Sequence, residues 1–134
     1  MTLRALQRYI AANLDDHSMS PAAVAAANGI SVRQLHRLFQ EGGTSIGKWV
    51  RRERLGRCAA ELRDPSRRAD SLTVIAFRWG FKDSAHFSRT FREQYGQTPR
   101  AFRASQAFRP IPLHPDPRSR TGVRRSDWAD GRTG

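Results

Sequence analysis

The stretch VAAANGISVRQLHRLF, residues 24–39, contains a stop signal and a new start signal for a helix in close succession. Gly29 can take the left-handed conformation that ends a helix. Ser31 and Gln34 form an S-x-x-Q capping box for the next helix, and Ile30 with Leu35 gives a hydrophobic staple around it. The pattern predicts two helices joined by a very tight turn, which is typical of a helix-turn-helix whose second helix enters a DNA major groove.

Further helices are predicted on either side of this unit. Apolar side chains recur at helical spacing over residues 3–14, and Ser20 with Pro21 supplies the cap and first residue of the next helix. Residues 45–62 predict one long helix of roughly 27 Å at 1.5 Å per residue. The run QTPRAFRASQAF predicts a last short helix capped by Thr98.

The opening pattern returns 51 positions later in the chain. IAFRWGF at 75–81 matches VAAANGI at 24–30: an apolar residue, alanine, three variable positions, glycine and an apolar residue. Asp83 suits the N-cap of the helix that follows, and Phe87 and Phe91 begin its core stripe. This internal duplication indicates two copies of one functional unit.

Together these signals predict an all-α, homeodomain-like fold of about seven helices, with two helix-turn-helix subdomains joined by a long connecting helix. We expect the first unit over residues 1–44, the connecting helix over 45–62 and the second unit over 63–106. Residues 107–134 form a basic tail rich in Pro, Arg and Gly, for which we expect disorder.

The charge of the chain indicates the class of partner. There are 24 basic and 12 acidic side chains, a formal net charge of +12, and 18 of the basic and 9 of the acidic ones fall within residues 1–106. The excess therefore belongs to the folded part, and it favours a polyanionic partner, nucleic acid before an anionic membrane. Cys58 is the only cysteine and no apolar run approaches membrane-spanning length, so we expect a cytoplasmic protein that does not enter a membrane.

The outward faces of the two predicted recognition helices supply candidate DNA contacts. Arg37 and Arg89 suit bidentate contact with guanine, Gln34 suits adenine, and Ala85 suits a thymine methyl group. Solvated surface charge is the alternative for the arginines, and both histidines fit groove contact and simple exposure equally well. The candidate base-reading residues are Arg33, Gln34, His36, Arg37, Ser84, Ala85, His86 and Arg89; the candidate phosphate contacts are Ser31, Lys48, Lys82 and Arg92.

The two units, the helix between them and the run IAFRWGFKDSAHFSRTFREQYGQTPRAFR resemble the DNA-binding domain of AraC/XylS-type transcription regulators over about residues 3–106. The motif positions that match are Gly80, Phe81, Phe87, Arg89, Phe91, Gly96, Pro99, Phe102 and Arg103. The resemblance implies a bacterial regulator that binds double-stranded DNA sequence-specifically, with RNA polymerase as a further partner. It also implies either a short stand-alone member or the C-terminal domain of a longer effector-responsive activator, monomeric alone and dimeric through a separate sensory domain. Cys58 and Glu61 stand where the family has apolar residues, which predicts looser packing there.

Two other functions stay open at this point: a sequence-blind, nucleoid-type DNA-binding protein and a protein–protein module that docks on polymerase. Two different outward faces argue against the first, because DNA packaging depends on phosphate contacts and DNA deformability. The sequence shows no nucleophile–base pair, no phosphate-cradling glycine loop and no cluster of metal ligands. We therefore expect no enzymatic activity, no metal site and no cofactor.

Overall fold

The computed structural model describes residues 1–107, which contain seven α-helices, one 3₁₀ turn and no β-strand. The predicted all-α fold is confirmed. The helices are α1 (Leu3–Ala12), α2 (Pro21–Ala27), α3 (Val32–Glu41), α4 (Ile46–Arg63), α5 (Leu72–Arg78), α6 (Ser84–Tyr95) and α7 (Pro99–Ala107), with the 3₁₀ turn at Pro65–Arg67 between α4 and α5. The tail for which disorder is predicted lies outside the described residues from residue 108 onward.

Each of the seven helices begins at a side-chain oxygen that accepts a hydrogen bond from a backbone N–H of its first turn, which satisfies one of the donors left free at a helix start. The capping residues are Thr2, Ser20, Ser31, Ser45, Ser71, Asp83 and Thr98. The caps predicted at Ser20, Ser31, Asp83 and Thr98 are confirmed. Local hydrogen-bond chemistry therefore explains where the helices start.

Two local predictions differ from the structure. The first helix ends at Ala12 instead of residue 14, because Asn13 donates its backbone N–H to Ile10 O and its side-chain amide to Tyr9 O. Leu14 is nevertheless buried as expected. The predicted capping box of Ser31 and Gln34 is present only in part. Ser31 Oγ accepts a hydrogen bond from the Gln34 N–H, but the reciprocal bond from the Ser31 N–H to the Gln34 side chain is not among the hydrogen bonds of the described residues.

The helices bury two hydrophobic clusters, which we call the N-cluster and the C-cluster. The N-cluster consists of Leu6, Ile10, Leu14, Val24, Ala25, Leu35, Phe39 and Ile46. The C-cluster consists of Leu55, Cys58, Ala59, Leu62, Ile75, Ala76, Phe81, Phe87, Phe91 and Phe102. Since α4 contributes Ile46 to the first and four side chains to the second, this helix is a structural part of both cores.

The expectation of looser packing around Cys58 and Glu61 is wrong. Cys58 is fully buried, and Glu61 is only 9% exposed because its carboxylate accepts hydrogen bonds from Trp79 Nε1 at 2.9 Å and from Arg78 Nη1. Arg78 also donates to Asp70 Oδ2 at 3.3 Å. A buried acid is therefore tolerated here because both of its oxygens have partners.

Candidate nucleic-acid interface

The first candidate recognition helix, α3, has one buried side and one exposed side. Gly29 has a φ of +68°, in the left-handed region, and the chain turns there from α2 into α3. Leu35 and Phe39 are fully buried in the N-cluster and anchor the helix. All four base-reading candidates of this helix are exposed: Arg33, Gln34, His36 and Arg37. The packing thus directs two arginines, an amide and an imidazole away from the core.

The second candidate recognition helix, α6, repeats this division with a different cap. Asp83 Oδ1 accepts from the backbone N–H groups of Ala85 at 2.9 Å and His86 at 3.4 Å. Phe87 and Phe91 anchor the helix in the C-cluster. Ser84, Ala85 and Arg89 are exposed, whereas His86 is only partly exposed. His86 therefore stays a candidate base contact, with less exposed surface than the other three.

A cleft with a volume of about 460 Å³ lies between the two units. Val24, Ile46 and Phe81 are among its apolar lining residues. Cationic side chains at its walls are Arg51, Arg54 and Lys82, and His86 lies beside them. The start of α6 thus lies close to α2 of the first unit and to the connecting helix α4.

A family model described as a helix-turn-helix domain matches residues 24–105, which is more than half of the chain. Among solved structures, a transcriptional regulator from Chromobacterium violaceum whose title describes an AraC-type DNA-binding domain superposes with a TM-score of 0.71 and 34% identity, over 81% of this chain and 94% of that one. The chain belongs to the AraC/XylS-type family of transcription regulators. A probable AraC family regulator from Rhodopseudomonas palustris superposes equally well, with a TM-score of 0.71 and 28% identity over 81% of this chain and 97% of that one.

Curated AraC/XylS-type relatives include transcription activators. The transcriptional activator NphR from a Rhodococcus species is 34% identical over 105 residues, which cover 78% of this chain and 30% of that protein. The activator RhaS from Escherichia fergusonii is 39% identical over 99 residues, which cover 71% of this chain and 34% of that protein. The chain therefore spans about a third of the length of these two relatives.

The candidate phosphate contacts of this AraC/XylS-type domain are distributed over three parts of the fold. Ser31, Lys48, Lys82 and Arg92 are all exposed. Ser31 lies at the start of α3 and Arg92 lies one turn beyond Arg89 on α6, so each accompanies a base-reading set. Lys82 immediately precedes the α6 cap, whereas Lys48 lies apart from both recognition helices, in the first turn of α4.

Sequence analysis missed the residues that hold the two units together. Arg54 and Arg57 on α4 donate to backbone carbonyls at the end of α1 and in the loop after it, and Trp79 packs against both hydrophobic clusters. The only signal in the sequence is Trp79, a large aromatic residue beside the second turn glycine that is expected to pack in a core or between the units rather than stack on bases. The partners of Arg54 and Arg57 are backbone atoms about 40 residues away, and no side-chain pattern identifies such partners.

Residues 1–107 contain no group of three or more His, Cys, Asp or Glu side chains arranged to hold a metal ion. None of the helices in this range is long and apolar enough to cross a membrane. Burial, together with the nearby Glu61 carboxylate, raises the pKa of the Cys58 thiol to about 12. A thiol with so high a pKa is a poor nucleophile, which fits the position of Cys58 as a fully buried member of the C-cluster.

Proposed function

We propose that this chain binds double-stranded DNA sequence-specifically, with α3 and α6 in successive major grooves, as the DNA-binding part of a longer transcription activator. The observation that carries the proposal is the duplicated helix with a buried apolar side and an exposed polar side. Leu35 and Phe39 anchor the first copy, and Phe87 and Phe91 anchor the second. The activator role is supported by the names of the two relatives described above, both of which are transcription activators.

The length of α4 supports the bipartite arrangement. Its 18 residues correspond to roughly 27 Å at 1.5 Å per residue. Successive major grooves on one face of B-DNA lie about 34 Å apart. A helix of this length that takes part in both cores can hold two recognition helices near that separation, so that a monomer contacts two adjacent half-sites.

The exposed side chains divide into base contacts and phosphate contacts. In this proposal Arg37 and Arg89 each donate two hydrogen bonds to guanine, Gln34 pairs with adenine, and Ala85 contacts a thymine methyl group. Arg33, His36, Ser84 and His86 complete the base-reading sets. Ser31, Lys48, Lys82 and Arg92 contact phosphates, and removing any one of the three charged residues should reduce the slope of log affinity against log salt by about 0.9.

The test is selection of bound duplexes from a randomised pool at near-physiological salt, followed by affinity measurements on the selected and scrambled sequences. We expect two short preferred blocks about one helical turn apart, bound by a monomer. Equal affinity for all sequences, dependent on salt alone, would instead identify a sequence-blind DNA-packaging protein. Absence of binding to any duplex would move the function to a protein partner.

A second candidate role, contact with RNA polymerase, is favoured by an apolar patch on α5. Val74 and Phe77 are 48% and 57% exposed, and they lie one turn apart on a helix that carries none of the proposed DNA contacts. Exposed apolar pairs of this kind are typical of protein contacts. Replacing Val74 with Ser should leave DNA affinity unchanged and lower transcription from a promoter that carries the selected site. Dimerisation is assigned in this proposal to a sensory domain of the longer protein, outside this chain.

A further inference from the structure

Arg54 connects the middle of α4 to the first unit. Its Nε donates to Leu14 O at 3.0 Å and its Nη2 donates to Asp16 O at 3.1 Å. Both acceptors lie in the loop just after the end of α1. Hydrogen bonds from a charged guanidinium are about twice as strong as neutral ones. One side chain therefore fixes the loop after α1 to α4.

The same guanidinium also lies against the turn of the second unit. Gly80 has a φ of +92°, and a Cβ atom placed on it would lie only 2.8 Å from Arg54 Nη1. The guanidinium thus occupies space that is available because residue 80 has no side chain. The first-unit glycine differs, because a Cβ atom on Gly29 would meet nothing within 4 Å. Arg54 is therefore in contact with the first unit and with the turn that precedes α6.

Trp79, the residue before this glycine, makes a second connection between the units. Among the described residues it is the only one that packs against both the N-cluster and the C-cluster. Glu61 accepts a hydrogen bond from its indole Nε1, and the Arg57 guanidinium lies 5.5 Å from the centre of its ring. Arg57 in turn donates to Ala11 O at 3.1 Å. The orientation of Trp79 is therefore fixed from both units.

We propose that Arg54 and Trp79 form a joint that fixes the distance and rotation between α3 and α6, and thereby determines which spacing between half-sites the protein accepts. The inference rests on the proposed bipartite DNA binding. One base pair changes the separation of two half-sites by about 3.4 Å and their relative rotation by about 35°. A rigid joint cannot follow both changes, so neither residue needs to touch DNA in order to affect specificity.

The first experiment measures the affinity for duplexes in which the two selected half-sites are separated by the selected spacing and by one or two base pairs more or less. For the unaltered chain we expect a one-base-pair shift to cost roughly tenfold in affinity, comparable to a mismatched base pair. For Arg54→Ala and Trp79→Phe we expect roughly threefold or less, with the base preference inside each half-site unchanged. Arg68→Ala is the matched control, because it removes the same charge from an exposed position in the loop after α4. Loss of affinity by the same factor at every spacing would overturn the proposal.

The second experiment needs no DNA and separates this inference from the proposed function. Spin labels at Gln40→Cys on α3 and Glu93→Cys on α6 occupy exposed positions, and the buried Cys58 thiol stays unlabelled. We expect a narrow distribution of label distances in the unaltered joint, a wider one in Arg54→Ala and Trp79→Phe, and no widening in Arg68→Ala. Equal widths in all four proteins would overturn the joint. If selection recovers no bipartite site, the proposed function fails and the label distances alone decide whether the joint exists.

Discussion

The two helix-turn-helix units each have a glycine at the equivalent position of the turn, but the surroundings of the two glycines differ. Gly29 and Gly80 both have positive φ angles, +68° and +92°, so both turns need a residue that tolerates the left-handed region. Around Gly29 there is open space, whereas the space beside Gly80 is filled by Arg54. The first turn therefore requires only conformational freedom, whereas a side chain in the second would also have to displace the Arg54 guanidinium. A repeated sequence pattern can thus conceal a structural contact made by one copy alone.

The hydrophobic cores of the two units also differ, in their content of aromatic side chains. Phe39 is the only aromatic member of the N-cluster, whereas the C-cluster contains four phenylalanines. Their rings form a chain in which Phe91 is 5.8 Å from Phe87 and 5.3 Å from Phe102. Aromatic pairs at such distances contribute about 0.5–1.5 kcal/mol beyond the area they bury. We therefore expect the second unit to be the more sensitive to a truncated core residue.

Of the substitutions that compare the two units, Phe91→Ala should cause the largest loss of stability. Phe91 is fully buried between α6 and α7, and its removal should lower the free energy of unfolding by about 3–5 kcal/mol. Leu35→Ala in the first unit should cost less, about 2–4 kcal/mol, because fewer buried atoms are removed. Urea titration followed by circular dichroism measures both. Val74→Ala is the control, since this exposed side chain should contribute about 0.5 kcal/mol or less.

The thiol of Cys58 tells which unit opens in these variants. It lies in the C-cluster with its pKa raised to about 12, so a thiol reagent at pH 8 should modify the native chain very slowly. Phe91→Ala should accelerate the modification strongly, and Leu35→Ala only weakly. Equal acceleration by the two variants would mean that the units unfold together and that the contrast between their cores has no local consequence.

Gly80→Ala and Gly29→Ala test the contrast between the turns. Each puts a Cβ atom into the left-handed region, which costs roughly 1–2 kcal/mol. Gly80→Ala also displaces the Arg54 guanidinium from two backbone carbonyls, which should add about 1 kcal/mol. Thermal unfolding should therefore show a larger loss of stability for Gly80→Ala. In an Arg54→Ala background the two glycine variants should become equal; a persisting difference would contradict the steric explanation.

Sequence analysis succeeded where the determining interactions are local. The helix starts at Ser31 and Asp83 and the turn at Gly29 follow from neighbours within four residues, and the core stripe of Phe87 and Phe91 follows from helical spacing. The same reasoning failed for Glu61, because only the fold brings Arg78 and Trp79 within hydrogen-bond distance of it. Exposure of the candidate base-reading residues was likewise predictable from periodicity, except for His86. Their contacts with bases stay a prediction.

Arg37→Ala and Arg89→Ala compare the two recognition faces directly. Each should relax the preference for guanine at one position of its own half-site, with a loss of about 1–3 kcal/mol in discrimination. The other half-site should keep its preference, so each variant is the control for the other. Competition binding with single-base variants of the selected site measures the effect. A uniform loss for every sequence would show that these arginines contact phosphates.

Substitutions at the helix caps should have the smallest effect on stability. Their effects on DNA affinity should have opposite signs in the two units. Ser31→Ala and Asp83→Ala each remove a cap and should cost about 1 kcal/mol in stability. Asp83→Asn should keep the cap, because asparagine is as good an N-cap as aspartate, while it removes a negative charge beside Lys82. Its affinity for phosphates should therefore rise, whereas Ser31→Ala should lose one phosphate contact. A salt series on one selected duplex separates the two, because Asp83→Asn changes a charge and should alter the slope of log affinity against log salt, whereas Ser31→Ala removes a neutral contact and should lower affinity by the same factor at every salt concentration.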